Sequence, residues 1–174
     1  MYGERSSKPS AAHMSSLLHA SRSDLMAAIA GLDDTAFRTR PISGAWTSAE
    51  LLADLFSTER RFIDRARAAV EQEHYVVTPV SGEVREEHLG MAKRMPVPQI
   101  VHGLLAQRRS TLQWVESLTP DDLQQTLQHP ARGEQSVLWQ IEHVIEHELE
   151  HAREMRAGRA ESETPALAPQ GSAP

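Results

Sequence analysis

The sequence has 174 residues, of which 40% are hydrophobic and 24% are charged, and a formal net charge of −6. This composition is typical of one globular domain, and no apolar stretch approaches the roughly 20 residues that a membrane span requires. The acidic balance argues against a nucleic-acid partner, which would need a clustered basic face, and the lack of cysteine excludes disulfides, thiolate metal ligands and a cysteine nucleophile.

Both ends of the chain are predicted to be tails that flank one domain. Residues 1–12 and 158–174 are rich in serine, proline, alanine and charge, without the apolar periodicity that would favour ordered structure. Residues 13–157 are therefore predicted to form the domain. The polar start of the chain lacks the apolar segment of a secretory signal, so we expect a cytoplasmic protein.

The central region contains four segments with apolar residues at helical spacing and no sustained strand-like alternation. We therefore predict an all-α fold without strands. The first helix is expected from Met14 to Leu32. The second begins after Thr47, which forms a capping-box pattern with Glu50 three positions later. Trp46, at the entry to this helix, is predicted to be a buried residue at the end of the bundle.

The longest irregular connection follows the second helix, from about His74 to Pro98, and contains several glycines and prolines. A short helix over Val84 to Arg94 is predicted inside it. The third helix then extends from Pro98 to Leu118. A connection of this length allows the second and third helices to be non-adjacent or parallel in a four-helix bundle.

The fourth helix is predicted to begin near Gln135 or Ser136 and to end at Met155 or Arg156. Gly158 follows at the position where a left-handed cap residue is expected. The fold class predicted from these segments is a four-helix bundle with a long connection between helices two and three.

Three histidines follow one another at four-residue intervals on the fourth predicted helix. Side chains at this spacing lie on one side of a helix, where two imidazoles can bind the same metal ion. His151 projects nearest to the apolar face and His143 furthest from it, so His147 and His151 are the predicted ligands and His143 is expected to be supporting or exposed. Glu148 and Glu150 make the region electronegative and favour a cation. The alternative is a solvated polar face without metal.

Residues 147–151 read HELEH and also match the H-E-x-x-H pattern of zinc proteases, in which the glutamate activates water. Such proteases need a third protein ligand, commonly downstream, and usually a strand upstream that aligns the substrate. Only a short proline-containing tail follows here, and no strand is predicted. A metalloprotease is therefore a minor alternative.

Two motifs together resemble those of the DinB/YfiT-like superfamily of small bacterial metalloproteins. GAWTSAELLADL, at the start of the second predicted helix, is similar to the family pattern G-x-W-s-x-x-E-[IL]-l-a-H-L, and HELEH is similar to its H-x-x-x-H motif. The resemblance extends from Leu17 to Met155. It implies a four-helix bundle that binds a divalent metal, acts on a small molecule and pairs as a homodimer through exposed helix faces.

The sequence departs from the family pattern at one metal ligand. In the family a histidine on the second helix completes a three-histidine site, and Asp54 stands at the matching position. The resemblance therefore implies a site formed by Asp54, His147 and His151, with open coordination positions of the kind found in catalytic sites. The alternative is that Asp54 pairs with an arginine or faces solvent and the site is lost.

The resemblance implies a metal-dependent hydrolase or a transferase of a low-molecular-weight thiol. Zinc or nickel is the expected ion, and manganese and iron are also compatible with the ligands. Glu148 is the candidate catalytic residue, as a base or a ligand-orienting group, and an arginine-paired core carboxylate is its alternative. The rival hypothesis is a non-catalytic metal- or ligand-binding stress-related bundle whose site has decayed.

Overall fold

The computed structural model describes residues 9–79, 82, 86, 90 and 94–163. These residues form a bundle of four long helices with one short helix before the second, so the predicted four-helix bundle is confirmed. The helices are α1 (Ala11–Ile29), α2 (Asp34–Arg38), α3 (Ser48–Glu71), α4 (Val97–Glu116) and α5 (Val137–Glu163). Most of the short helix predicted over Val84 to Arg94 lies outside the described residues. None of the described helices combines the length and the apolar character needed to cross a membrane.

The long connection joins two neighbouring helices that run parallel. Near the middle of α3, the backbone oxygen of Phe56 accepts a hydrogen bond from the Gln107 side chain of α4. Further along both helices, the Glu59 carboxylate accepts a hydrogen bond from Thr111. The residue numbers of the contacts increase together along both helices, so α3 and α4 run in the same direction. This parallel arrangement is one of the two that the length of the connection allowed.

A β-hairpin precedes α5, so the prediction that the chain has no strands is wrong. Strands β1 (Thr126–His129) and β2 (Gly133–Ser136) pair antiparallel, and Val76 adds an isolated bridge to Gln128. Each strand has only four residues, which is too short for alternation to stand out from the flanking polar sequence. The side chain of Leu127 is buried and attaches the hairpin to the core.

The start of α3 agrees with the predicted capping box. The Thr47 hydroxyl accepts a hydrogen bond from the Glu50 backbone N–H, and the Glu50 carboxylate accepts one from the Thr47 N–H. Trp46, one residue earlier, is 39% exposed, so its predicted burial is wrong. Its ring instead contributes to the wall of a cleft between the start of α3 and the end of α5.

The last helix continues past its predicted end. Gly158 lies inside α5, which extends to Glu163, so the prediction that Gly158 terminates the helix is wrong. A Cβ atom at Gly158 would lie 2.9 Å from Cγ of Pro41. The missing side chain therefore lets the segment that precedes α3 cross closely over α5.

Substituting Gly158 with alanine is expected to destabilise the fold. In an open helix interior this change would stabilise by about 1 kcal/mol, but here the new methyl group meets the rigid Pro41 ring. We expect a lower urea midpoint for Gly158→Ala. In a Pro41→Ala background, where the ring is removed, the same substitution should raise the midpoint, and equal effects in both backgrounds would contradict the steric explanation.

The core of the bundle consists of two apolar clusters separated by a buried polar layer. The first cluster includes Leu18, Phe62 and Ile141, and the second includes Leu25, Leu104 and Met155. Every long helix contributes to the polar layer between them. Its members are Ser21 and Arg22 of α1, Glu59 of α3, Arg108 and Thr111 of α4, and Glu148 of α5.

Candidate metal centre

Three side chains from two helices converge at one edge of the bundle. Asp54 comes from α3, and His147 and His151 come from successive turns of α5. The Asp54 Oδ2 atom lies 3.2 Å from Nε2 of His147 and 3.4 Å from Nε2 of His151. One ligand atom from each residue lies within 4.8 Å of the others. The structure thus brings together the three residues predicted as metal ligands.

The buried position of Asp54 contradicts the alternative in which this residue faces solvent. Asp54 is only 4% exposed, and its carboxylate is directed at the two imidazoles. A carboxylate in such a place requires a compensating positive charge or hydrogen bonds. A cation bound between the three side chains would provide the positive charge.

A fourth side chain orients one of the imidazoles. Glu154, one turn further along α5, lies with its Oε2 atom 2.8 Å from Nδ1 of His151. A carboxylate at this distance keeps a proton on Nδ1 and leaves Nε2 available as a ligand, as is common around metal-binding histidines. Sequence reasoning missed Glu154, although its position three residues after His151 places both on the same side of a helix.

The electrostatic surroundings favour positive charge where the three ligand atoms meet. Burial alone would lower the pKa of His151, but the hydrogen bond to Asp54 and the charge of Glu154 outweigh burial and raise this pKa. The same carboxylates that stabilise a proton here would stabilise a metal cation. Two nitrogen ligands and one oxygen ligand suit zinc, nickel, manganese and ferrous iron.

The spacing between the Asp54 oxygen and each imidazole fits binding to a common ion. Ligands at about 2.1 Å from one ion, at tetrahedral or octahedral angles, are roughly 3.0 to 3.5 Å apart. The two Nε2 atoms lie 3.2 Å and 3.4 Å from the Asp54 oxygen. The residues present therefore fit a divalent metal.

Glu148 does not have the contacts expected of a catalytic base. Its Oε1 atom accepts a hydrogen bond from Arg22, and its Oε2 atom accepts hydrogen bonds from Arg108 and Ser21. The side chain is 1% exposed. These contacts correspond to the alternative of an arginine-paired core carboxylate, and they also count against a metalloprotease, in which this glutamate would have to reach water beside the metal.

Glu59 is the second acid of the buried polar layer. Burial alone would raise the pKa of Glu59, but the charges of Arg108 and Arg22 and hydrogen bonds from Arg108 and Thr111 lower it. Two arginines and two glutamates thus neutralise each other inside the bundle. Glu148 is the residue after His147, so the ion pairs of this layer hold α5 in place next to a candidate metal ligand.

His143 lies in an aromatic stack and not on the open surface. Its ring centroid is 4.4 Å from that of Phe62 and 4.9 Å from that of Trp139, with the Trp139 plane tilted by 9°. Burial, together with the nearby charges of His147 and Arg132, lowers the pKa of His143. The stack fixes the helix one turn before His147, so His143 supports the site without supplying a ligand atom.

The three candidate ligands open into a cleft of about 430 Å³. This volume lies in the usual range of small-molecule sites. Its walls come from α5, from the start of α3 and from the segment before α3, which crosses the last turns of α5. The side chains lining it include Trp46, Asp54, His147, His151, Glu154 and Glu161.

Removing the charge of Glu154 is expected to weaken metal binding without abolishing it. In Glu154→Gln the amide no longer fixes the His151 tautomer as strongly, and partners of this kind typically contribute about 10- to 100-fold in metal affinity. Competition with a chromogenic zinc chelator measures this loss. Glu150→Gln, which removes an exposed charge from the same helix, is the matched control and should leave the affinity nearly unchanged.

Comparisons with known proteins agree with the fold. The family model of the DinB superfamily matches residues 17–155. Among solved structures, YfiT from Bacillus subtilis, described as a probable metal-dependent hydrolase with an unusual four-helix bundle topology, is 16% identical with a TM-score of 0.72, covering 91% of this chain and 94% of that protein. The four-helix bundle protein TT2238 is 20% identical with a TM-score of 0.61, covering 85% of this chain and 99% of its own. A comparison with curated protein sequences gives no match.

Proposed function

Because the chain belongs to the DinB superfamily and its Asp54, His147 and His151 side chains converge beside an open cleft, we propose that it is a metal-dependent hydrolase of small molecules. The observation that carries this proposal is the meeting of one carboxylate and two imidazoles in the lining of the cleft. The relative YfiT, described as a probable metal-dependent hydrolase, gives the proposal further support.

The roles of the residues follow from their contacts. Asp54, His147 and His151 would hold the ion, and Glu154 would orient His151 through its Nδ1 atom. A divalent ion bound with part of its coordination sphere open would lower the pKa of water or of a thiol and polarise a carbonyl group. Transfer of a low-molecular-weight thiol is therefore the second candidate activity of the same site.

The number of ligands favours catalysis over a purely structural role. Structural zinc sites are usually closed by four protein ligands, whereas catalytic sites keep at least one position for water or substrate. In the part of the chain that the structure describes, three ligand residues form the group. The adjoining cleft gives a small molecule access to the remaining positions.

The test uses protein purified without an affinity tag, stripped with a chelator and reloaded separately with zinc, nickel or manganese. We expect hydrolysis within a panel of small esters and amides to require added metal and to be lost in His151→Ala. The matched control His102→Ala, an exposed histidine on α4, should retain activity. Equal hydrolysis by stripped protein and by His151→Ala would contradict the proposal, and turnover only with a thiol and an electrophile would favour the transferase.

A further inference from the structure

We propose that the cleft selects substrates that carry a positively charged amine, bound by Glu161 and Trp46 at a distance from the metal-binding residues. This inference rests on the proposed function, because it concerns the substrate of the same site. It specifies the chemical class of that substrate as a small ammonium-bearing molecule and excludes carboxylate- or phosphate-bearing ones.

Apart from the two histidines, the ionisable side chains described in the lining of the cleft are all acidic. Asp54, Glu154 and Glu161 contribute carboxylates, and none of the described residues lining the cleft is a lysine or an arginine. Three carboxylates exceed the two positive charges of a divalent ion, so the cleft remains negative when the metal is bound. A concave surface of one sign attracts ligands of the opposite charge and disfavours those of its own.

The acidic residues extend away from the candidate metal ligands along one side of α5. His147, His151, Glu154, Gly158 and Glu161 follow each other at spacings of three or four residues, so they lie on the same side of the helix. Ten residues of helix separate His151 from Glu161, which is about 15 Å along the axis. A substrate that reaches toward both the metal and Glu161 must therefore have an extended chain.

The position of Glu161 is fixed by the segment that crosses α5. Its Oε2 atom accepts a hydrogen bond from the Ser43 backbone N–H at 3.1 Å. A carboxylate has room for further donors beyond this one, so Glu161 can also receive a hydrogen bond from an ammonium group. The contact with Ser43 places the acid at the wall of the cleft, where it can meet a ligand.

Trp46 supplies a second feature that suits a cation. Its side chain is 39% exposed and lines the cleft, although a tryptophan at a helix entry is usually buried. The face of an indole ring attracts ammonium groups by its electron-rich π-system. An open cleft beside three converging ligand atoms, with acids and an accessible indole in its walls, is therefore suited to an amine and not to an anion.

The test measures the binding of three hydroxamates to zinc-loaded protein by calorimetry. Each probe has a six-carbon chain and the same metal-binding end, and the other end carries an ammonium group, a methyl group or a carboxylate. We expect the ammonium probe to bind about tenfold more tightly than the methyl probe, with the carboxylate probe weakest. The differences should shrink as salt is raised, because these charges are partly exposed.

Two variants locate the selectivity. Glu161→Gln and Trp46→Leu should each reduce the preference for the ammonium probe while leaving zinc affinity and binding of the methyl probe unchanged. The control Glu150→Gln removes an acid from the same helix outside the cleft and should keep the preference. Equal binding of all three probes to zinc-loaded protein, or an unchanged preference in both variants, would overturn this inference alone. Failure to bind zinc or any hydroxamate would remove the proposed function and this inference with it.

Discussion

Glu148→Ala is expected to lower the free energy of unfolding by about 3 to 5 kcal/mol, the usual cost of breaking a buried ion pair by removing one partner. The substitution leaves Arg22 and Arg108 charged inside the bundle without one of their two acids. Both arginines are less than a tenth exposed, at 7% and 4%, so water cannot replace the lost carboxylate without opening the core. Urea denaturation followed by circular dichroism measures the change.

A matched substitution separates this effect from the loss of any acid on α5. Glu150 is exposed two residues further on, and Glu150→Ala should change the free energy of unfolding by less than about 0.5 kcal/mol. If the two variants are equally stable, the buried pairs of Glu148 contribute nothing measurable, and the assignment of this residue to the core is contradicted.

Asp54→Ala is expected to weaken zinc binding by more than about 100-fold. Loss of a partner that only orients a ligand already costs about 10- to 100-fold, and removal of a ligand should cost more. Asp54→His should restore or increase the affinity, because imidazole is a stronger ligand for zinc than a single carboxylate oxygen and this change recreates the three-histidine set of the family. Competition titrations against a chelator of known affinity measure both variants.

The control for these titrations is His102→Ala, which removes an exposed imidazole remote from the three ligands in sequence. Its zinc affinity should equal that of the unaltered protein. Unchanged zinc affinity in Asp54→Ala would remove Asp54 from the site and leave a pair of histidines that binds metal without help from α3.

The four long helices and the two candidate histidine ligands were predictable because both depend on spacing within one segment. Apolar residues at intervals of three and four define the helix faces, and the interval of four between His147 and His151 places both imidazoles on one side of α5. Asp54 could be predicted as a ligand only from the resemblance to the family, because a single aspartate between leucines forms no pattern that indicates a metal site.

The features that were missed depend on contacts between distant parts of the chain. The partners of Glu148 on α1 and α4 lie 126 and 40 residues away, so no local pattern reveals that arginines surround it. In the sequence, Gly158 resembles a helix terminator, but in the structure a glycine is needed at this position because Pro41 passes close to it. Short strands such as β1 and β2 are fixed by pairing with each other and by one buried leucine, which periodicity over four residues does not show.

We propose that Asp54, His147 and His151 together bind one divalent ion and leave part of its surface open. Anomalous diffraction from crystals grown with zinc tests this proposal. The expected result is one strong peak within bonding distance of the Asp54 carboxylate and the two Nε2 atoms, with no fourth protein ligand. A map without a peak between these three side chains, or a peak enclosed by four protein ligands, would contradict the claim.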